Sequence, residues 1–521
     1  MSRQIAKVKT IAFAFLFICL SSTEIQANDA ISSIIQLPKG LSLEDQIYED
    51  INQDGLKDLA LAVSNRKKPY ERSLRIHFQQ NKNLCFKTDP DEIISLTPDV
   101  IACAFADTDK NPGAEILLFT ANACFGYRLR EQNKDKIFKI ADFEFLWQIP
   151  DPYKVFSWQS GVLDFNNDGR QDFVLPQSDG IKIFLQKEAG FAAAPLLKMP
   201  QTISANISQF QVRRNQSNIN ASFNFDFSTD SSGTKQDGKP LVNINHSVNV
   251  PLFTDYDGDN HCDILNQNSN FLYVWKQEKN EPLLQQTCIS LKIPKDANEN
   301  TDDQYIIDLN RDKRCDFILF ARDKASKKIF TQILVYINHK NSENEDTLFD
   351  ENGIPQQLIK IAGLPGKIQL EDINCDGFPD LSFIAFNPDL LDQVKTLASK
   401  SIKLQFLAFL NNSGRFSRNP DISEEIDVSL DVKGRSEVDQ GRFFTDFNKD
   451  GLLDVLVRDT NNHISLRLLR KTKNAIAISN KNVWEMTIPE KSRIVYDNKE
   501  TDLKPVLLIT GPDQVIHVRF K

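Results

Sequence analysis

Short apolar runs alternate with polar, turn-forming residues along almost the whole chain. Between residues 156 and 186, FSWQSGVLDF leads into a polar loop, DFVLP leads out of it, QSDG turns the chain and IKIFLQ follows. Alternation with a period of two, bounded by Gly, Asn, Asp and Ser, predicts antiparallel β-strands. The predicted module is therefore strand A, a polar loop, strand B, a turn and strand C.

The loop between strands A and B carries an acidic pattern of nine residues that occurs seven times. Oxygen-bearing side chains stand at positions one, three, five and nine. The copies are Asp50, Asn52, Asp54 and Asp58; Asp107, Asp109, Asn111 and Glu115; Asp164, Asn166, Asp168 and Asp172; Asp255, Asp257, Asp259 and Asp263; Asp308, Asn310, Asp312 and Asp316; Asp372, Asn374, Asp376 and Asp380; and Asp446, Asn448, Asp450 and Asp454. Self-similarity of this kind indicates a repeat architecture.

A fourth strand recurs as an apolar segment that often ends in proline, which suits an outer strand that needs no further ladder donor. Its eight copies are 34–38, 93–98, 146–150, 196–200, 289–294, 359–365, 427–432 and 484–489. An eighth module without a working acidic loop lies between residues 493 and 520, where Asp497 takes position one but Pro505 takes position nine. The chain begins with a fourth strand and ends after strands A, B and C, so the N-terminal strand can complete the last module.

These features predict an all-β fold. We expect an eight-bladed β-propeller with four antiparallel strands per blade, closed by the N-terminal strand so that no open sheet edge remains. A seven-bladed ring is the alternative, because the eighth copy could pack differently. The propeller should span residues 28–521, with an inserted hairpin at about 201–250 that lies between the fourth strand of one blade and the first strand of the next.

The first 27 residues indicate a secretory signal peptide, because a basic start precedes an apolar run that is too short to span a bilayer. We therefore expect an exported protein, periplasmic or extracellular. Removal of three basic residues and one acidic residue changes the net charge from −9 to −11. An acidic chain without basic clusters argues against nucleic acid as a partner. Seven cysteines remain, and the odd number leaves at least one free thiol.

Oxygen ligands at every second residue of a tight loop suit a hard cation such as Ca²⁺, and a backbone carbonyl at position seven would add one more ligand. Position six must turn sharply, which favours a positive φ. Glycine meets this need in copies one, three, six and seven, Asn260 tolerates it, and Lys313 would be strained. In copy two, Pro112 cannot adopt it, although Gly113 could shift the turn by one residue. We expect up to seven calcium sites, strongest in copies one, three, six and seven.

With these loops set between β-strands, the chain resembles the FG-GAP/VCBS repeat family, which includes the propeller heads of integrin α subunits. The resemblance covers about residues 34–521 and is closer to the VCBS branch, because clear Phe-Gly and Gly-Ala-Pro signatures are missing. It implies a β-propeller that binds Ca²⁺ at the positions named above. It does not imply the function of an integrin.

Two functions remain open on the sequence. The first is a binding or adhesion module for a protein or a glycan, monomeric and without a membrane span, whose ligand lies on the face opposite the calcium loops. The insertion and the turn 266–270 are the candidate surface. The second is a carbohydrate-active enzyme, a polysaccharide lyase or hydrolase on a propeller scaffold. The sequence contains no nucleophile elbow, phosphate loop or paired metal-binding histidines, so it supports catalysis less.

Overall fold

We describe the fold from a computed structural model of the chain. It describes residues 30–80, 86–109, 113–129, 136–143, 155–177, 180–188, 190–199, 202–206, 243–247, 251–267, 271–277, 289–293, 301–322, 329–340, 346–349, 354–366, 368–386, 401–429, 442–460, 462–472, 476–490, 492–497 and 505–520. Within these residues we find no helix of the length and apolarity that a membrane crossing requires.

The strands of the first four blades follow one another along the chain after an N-terminal strand, β1 (Ala30–Gln36). Blade one contains β2 (Leu41–Glu49), β3 (Asp58–Asn65), β4 (Arg72–His77) and β5 (Glu92–Leu96). Blade two contains β6 (Ala102–Ala106), β7 (Glu115–Phe119), β8 (Ala123–Tyr127), β9 (Ile137–Asp142) and β10 (Phe156–Ser157). Blade three contains β11 (Val162–Leu163), β12 (Asp172–Gln177), β13 (Gly180–Lys187), β14 (Gly190–Ala193) and β15 (Leu197–Lys198). A separate pair, β16 (Thr202–Asn206) and β17 (Asn243–Ser247), precedes blade four, which contains β18 (Leu252–Thr254), β19 (Asp263–Gln267), β20 (Phe271–Trp275) and β21 (Ile289–Lys292).

The remaining four blades repeat the same order of strands. Blade five contains β22 (Thr301–Ile307), β23 (Asp316–Arg322), β24 (Phe330–Tyr336) and β27 (Gln357–Ala362), with a small side pair of β25 (His339–Lys340) and β26 (Asp346–Thr347). Blade six contains β28 (Leu364–Pro365), β29 (Gln369–Glu371), β30 (Asp380–Phe386), β31 (Ser401–Phe409) and β32 (Ile422–Ser429). Blade seven contains β33 (Arg442–Thr445), β34 (Asp454–Thr460), β35 (His463–Lys471) and β36 (Ile476–Thr487). Blade eight contains β37 (Arg493–Asp497), β38 (Val506–Thr510), β39 (Gln514–Phe520) and the N-terminal β1.

The eight sheets form an eight-bladed β-propeller with four antiparallel strands per blade, which confirms the predicted fold over the seven-bladed alternative. The closure is also confirmed. Strand β1 pairs antiparallel with β39 along its whole length, from Ala30 opposite Phe520 to Gln36 opposite Gln514. The two ends of the described chain thus share one sheet, and the last blade has its fourth strand.

The hydrophobic core lies between neighbouring blades, because successive side chains of a strand point to opposite faces of its sheet. In β3, Leu59 and Leu61 share a buried cluster with Val506 of blade eight. The intervening Ala60 shares a cluster with Phe105 of blade two. Each central strand is therefore buried on both faces, which explains its continuous apolar sequence.

The sequence-based prediction was wrong about the outer strand of blade two. Strand β9, at Ile137–Asp142, pairs with β8 in that place. The predicted segment 146–150 lies outside the described residues. Both segments are short and mainly apolar, so the sequence pattern alone could not choose between them. In blade six the outer strand β32 begins earlier than the predicted 427–432, and the end of the predicted segment 359–365 forms β28, the start of the first strand of that blade.

The predicted first strand of blade three, FSWQSGVLDF, is divided into three parts. Strand β10 leaves blade three and pairs in parallel with β6 of blade two. A 3-10 turn follows at Gln159–Gly161, and only Val162–Leu163 pairs with β12. The amide of Gln159 explains the division: its Nε2 donates to the carbonyl of Phe105 at 2.9 Å and its Oε1 accepts from the N–H of Phe105 at 2.8 Å. The side-chain amide of Gln159 thus makes the two hydrogen bonds to Phe105 that a backbone peptide group of a neighbouring strand would otherwise make.

The predicted insertion begins and ends with a paired ladder. Strand β16 pairs antiparallel with β17, from Thr202 opposite Ser247 to Asn206 opposite Asn243. Residues 207–242, which the prediction assigns to the outer part of a projecting hairpin, lie outside the described residues.

The cysteines of the described residues are all free thiols, namely Cys103, Cys124, Cys262, Cys315 and Cys375. Three of them, Cys103, Cys124 and Cys315, are buried among apolar side chains, as expected of small space-filling residues. Cys85 and Cys288 lie outside the described residues.

Candidate metal centre

The acidic loops connect strands A and B of blades one to seven, so they lie on one rim of the propeller. Position nine is the first residue of strand B in every copy: Asp58, Glu115, Asp172, Asp263, Asp316, Asp380 and Asp454. All predicted ligand residues lie in the described residues except Asn111. We number the loops one to seven after their blades.

Six of the seven loops share one backbone conformation with two left-handed residues. Position six has a positive φ at Gly55, Gly169, Asn260, Lys313, Gly377 and Gly451. Position four has one as well, at Gln53, Asn167, Gly258, Arg311, Cys375 and Lys449. The predicted turn at position six is confirmed, including the strained Lys313 at φ 69°. In loop two, Gly113 has a φ of 106°, in agreement with the predicted shift by one residue.

The position-one aspartate holds this turn together. In loop one, Asp50 Oδ1 accepts the N–H of Asp54 at 3.1 Å and Oδ2 accepts the N–H of Gly55 at 2.9 Å. The bond from the position-six N–H to Oδ2 recurs in loops three to seven at 2.7–2.9 Å. The loop is thus an Asx-type turn that places a carboxylate at its centre.

Positions three and five approach each other where position three is asparagine. Asn52 Nδ2 donates to Asp54 Oδ2 at 3.1 Å, and the same bond joins the corresponding pairs in loops three, five, six and seven. The side chains of positions three and five therefore contact each other inside the turn, with the asparagine Nδ2 next to the carboxylate.

The position-nine aspartate is buried and anchors two parts of the blade. In loop one, Asp58 Oδ2 accepts the N–H of Ile51 at 3.1 Å, and Oδ1 accepts the N–H of Gln79 after strand C at 2.9 Å. Equivalent pairs of bonds hold Asp172, Asp263, Asp316, Asp380 and Asp454. This structural role was not foreseen from the sequence, which assigned position nine only as a ligand. Each carboxylate oxygen has a second lone pair for a cation.

Burial makes these carboxylates costly to ionise. It raises the pKa of Asp58 and Asp172 to about 6 and that of Asp263, Asp316, Asp380 and Asp454 to about 7, although their backbone hydrogen bonds act in the opposite direction. The neighbouring aspartates of the same loop raise these pKa values further. The pKa of Glu115 is raised for the same reasons. Such a set of mutually repelling carboxylates favours a bound divalent cation.

Among the described residues of the loops, two buried carboxylate oxygens have no hydrogen-bond partner and fit such a cation. They are Oδ1 of Asp257 in loop four and Oδ1 of Asp107 in loop two. In loop four, oxygens of Asp255, Asp257 and Asp263 lie within 4.8 Å of one another. An unpaired buried acceptor among carboxylates is unfavourable by itself, and hard oxygen donors are what Ca²⁺ prefers. The residues present therefore fit a calcium ion.

Neighbouring loops are joined to each other, which the sequence did not reveal. The N–H at position eight of one loop donates to the carbonyl at position two of the preceding loop. This bond joins Ala114 to Ile51 at 2.9 Å, Cys315 to Tyr256 at 3.0 Å and Leu453 to Ile373 at 2.7 Å. Where it forms, two adjacent loops share one hydrogen-bonded edge on the rim.

In blade six, a buried asparagine replaces this bond. Position eight is Pro379, which has no N–H. The side chain of Asn411 donates instead to the position-two carbonyl of Leu309 at 2.7 Å and to the carbonyl of Pro379 at 3.0 Å. Buried amide residues also stand at the corresponding place in blades one, three, four and five: Gln79, Gln186, Gln277 and Asn338.

Replacement of Asn411 by leucine is expected to destabilise the fold by about 2–4 kcal/mol, because it leaves the Leu309 carbonyl and the N–H of Gly414 buried without partners. Adding Pro379→Ala should recover about 1 kcal/mol by restoring the backbone donor at position eight. Urea unfolding of the single and double variants measures both effects. Equal stability of the two variants would contradict this role for Asn411.

The prediction that the turn 266–270 belongs to a ligand-binding surface is wrong for its first residue. Asn266, the first residue of the candidate binding turn 266–270, is buried, and its amide lies 3.4 Å from the sulfur of Met199. Its side chain joins blades three and four and is not available to a ligand. Residues 268–270 lie outside the described residues.

No family model and no curated protein matches the chain. Among solved structures, it is similar to a lectin of Agrocybe aegerita that recognises non-reducing terminal N-acetylglucosamine, at 13% identity over 85% of this chain and 89% of that chain, with a TM-score of 0.34. It is also similar to Sqt1 from Chaetomium thermophilum, at 9% identity over 94% and 100% of the chains with a TM-score of 0.41, and to the Dos1 propeller, at 8% identity over 94% of each chain with a TM-score of 0.40. Likeness at this level carries no information about function.

Proposed function

We propose that the chain is an exported, calcium-stabilised propeller of the FG-GAP/VCBS type that binds a protein or a glycan on the rim opposite the acidic loops. The observation that carries the proposal is the common geometry of the loops. In six of them, the backbone is left-handed at positions four and six, and the N–H of position six donates to the position-one carboxylate.

Calcium, when bound, supplies positive charge to carboxylates that otherwise repel one another. The residues at positions one, three, five and nine would hold it. Position one closes the turn through backbone N–H groups, and position nine ties the loop to strand C. An ion in each loop would therefore stabilise the start of strand B and its connection to strand C in the same blade.

The opposite rim offers exposed groups suited to recognition. In the turn between strands B and C of blade one, Tyr70 is 51% exposed and stands next to the exposed Lys67 and Lys68. The turn is held in place because the N–H of Arg66 donates to the carbonyl of Gly40 at 2.8 Å. Lys68 pairs with Glu71 at 2.8 Å, so charged groups of both signs surround the ring. An exposed aromatic ring among charged groups on a fixed turn is typical of a recognition surface for polar ligands.

A glycan array and affinity capture from the native extracellular milieu test this proposal with the full mature chain. We compare Tyr70→Ala, a variant in which a two-residue Asn-Gly turn replaces residues 207–242 between the paired Asn206 and Asn243, and Lys449→Ala on the acidic rim as a control. We expect one of the first two variants to lose a specific ligand and the control to keep it. Binding retained by both rim variants, or new reducing ends released from a polysaccharide by the wild type, would contradict the proposal.

A further inference from the structure

Position three of the acidic loops varies together with one residue of strand C. It is aspartate only in loops two and four, at Asp109 and Asp257, and asparagine in the other five. In these two blades the residue immediately after strand C is basic, namely Arg128 and Lys276. Lys276 precedes Gln277, whose N–H donates to position nine in blade four. In the five blades with asparagine at position three, the residue that precedes this donor is apolar: Phe78, Leu185, Ile337, Leu410 and Leu468.

Each basic residue contacts the position-three aspartate of its own blade. Arg128 Nε lies 3.0 Å from Asp109 Oδ2, and Lys276 Nζ lies 3.1 Å from Asp257 Oδ2. In both pairs the side chains are about four-fifths buried, with 24% and 20% exposed in the first pair and 24% and 18% in the second. They are therefore not surface ion pairs that exchange freely with water.

An aromatic ring fixes each basic side chain. The guanidinium of Arg128 lies 4.1 Å from the centre of the Phe138 ring, and the ammonium of Lys276 lies 5.7 Å from the centre of the Tyr256 ring. Phe138 lies against Gly126, where a Cβ would come within 2.3 Å of the ring. The absence of a side chain at Gly126 thus makes room for the ring that holds Arg128.

In loop four, this contact divides the two oxygens of Asp257 between two roles. Oδ2 is held by Lys276, while Oδ1 is buried and has no hydrogen-bond partner among the described residues. Asp257 also belongs to the group with Asp255 and Asp263 whose oxygens lie within 4.8 Å of one another. Loop four has four ligand carboxylates where each of the other six loops has three, and the positive charge of Lys276 offsets the additional one.

We propose that Arg128 and Lys276 are positioning residues for calcium in loops two and four. Each holds one oxygen of the position-three aspartate. In loop four, Lys276 also leaves Oδ1 of Asp257 for the ion and offsets the charge of the additional carboxylate. The pair of aspartate and basic residue replaces the pair of asparagine and apolar residue in the other loops. The inference rests on the proposed calcium binding and adds residues that orient a ligand in two of the sites and balance its charge in loop four.

A double-mutant cycle on loop four tests the inference. Hydrogen–deuterium exchange of the peptide 251–267, measured against free Ca²⁺, gives the midpoint for this loop alone, since the N–H groups of Asp259 and Asn260 donate to Asp255 there. Asp257→Asn should weaken the midpoint by about 10–100-fold, because it leaves the Lys276 ammonium beside the ion without its carboxylate. The double variant Asp257→Asn with Lys276→Leu copies the other five loops and should return to within about threefold of the wild type.

Lys449→Leu provides the control, because Lys449 is exposed at position four of loop seven and forms no ion pair with a ligand carboxylate among the described residues. It should shift neither the loop-four nor the loop-seven midpoint by more than about twofold. If the exchange of this peptide in the wild type does not change with Ca²⁺, both this inference and calcium binding in loop four are wrong. If the wild type responds but Lys276→Leu fails to rescue Asp257→Asn, only the positioning role is wrong.

Discussion

Chelation is expected to lower the melting temperature of the mature chain by more than any single substitution in its loops. A site filled at 100 times its Kd adds about 2.7 kcal/mol, so four filled loops add about 11 kcal/mol. For a chain of this length that corresponds to a fall on the order of 10 °C. The physical cause is the buried position-nine carboxylate of each loop, which is left with its charge and its acidic neighbours when the ion leaves. Scanning calorimetry in excess Ca²⁺ and in excess chelator measures the difference.

Two variants make this result specific to the acidic loops. Asp168→Ala should remove about one loop's share, 2–3 kcal/mol, of the calcium effect. Asp497→Ala should leave the effect unchanged, because Pro505 replaces the position-nine carboxylate in that blade. Identical melting curves in Ca²⁺ and in chelator would contradict calcium binding, and an equal loss in both variants would contradict its assignment to these loops.

The calcium-free protein is expected to become more stable as the pH falls from 7 to 5. The position-nine aspartates have pKa values of about 6 to 7 in the folded chain, against 3.8 as the ordinary value. A raised pKa means that the folded form binds protons first, so the stabilisation by protonation is complete below about 3.8 and is lost as the pH rises through 7. Each aspartate should contribute on the order of 1–2 kcal/mol across this interval.

Two buried histidines act in the opposite direction but are fewer. Burial lowers the pKa of His517 to about 3 and also lowers that of His77, so protonation below pH 6.5 favours the unfolded chain at these positions. Six aspartates outweigh two histidines between pH 7 and 5. In saturating Ca²⁺ the trend should reverse, because protons compete with the ion for the same carboxylates.

Urea unfolding at several pH values, in chelator and in Ca²⁺, therefore gives two curves of opposite slope. If the calcium-free protein instead loses stability steadily from pH 7 to 5, the pKa values of these aspartates are not raised in the folded chain. Parallel curves in the two buffers would show that the ion and the proton do not share a site.

The fold could be predicted because the same sequence pattern occurs in blade after blade. Seven copies of one loop, flanked by strands of constant order, indicate blades, and the position of the first and last strands indicates how the ring closes. Pairing choices inside a blade were harder to predict. The segments 137–142 and 146–150 are both short apolar runs that suit an outer strand, and it is β9 that pairs with β8. The parallel strand β10 depends on a side-chain amide, that of Gln159, which no periodicity reveals.

The candidate ligands could be predicted because the chemistry of each loop is local to nine residues. Their supports could not, because they come from elsewhere in the blade. The backbone donor to position nine lies 14 residues away at Gln277 but 31 residues away at Asn411, so no fixed spacing marks it. The pairing of Asp109 with Arg128 and of Asp257 with Lys276 likewise becomes visible only when strand C is placed beside the loop.

Counting the ions bound to the folded chain tests calcium binding in the repeated loops most directly. Native mass spectrometry of the mature protein, prepared in excess Ca²⁺ and again after dialysis against chelator, gives that number. We predict at least four bound calcium ions, lost on chelation and reduced by one in Asp168→Ala. A folded chain that carries no calcium at millimolar concentration would contradict the account.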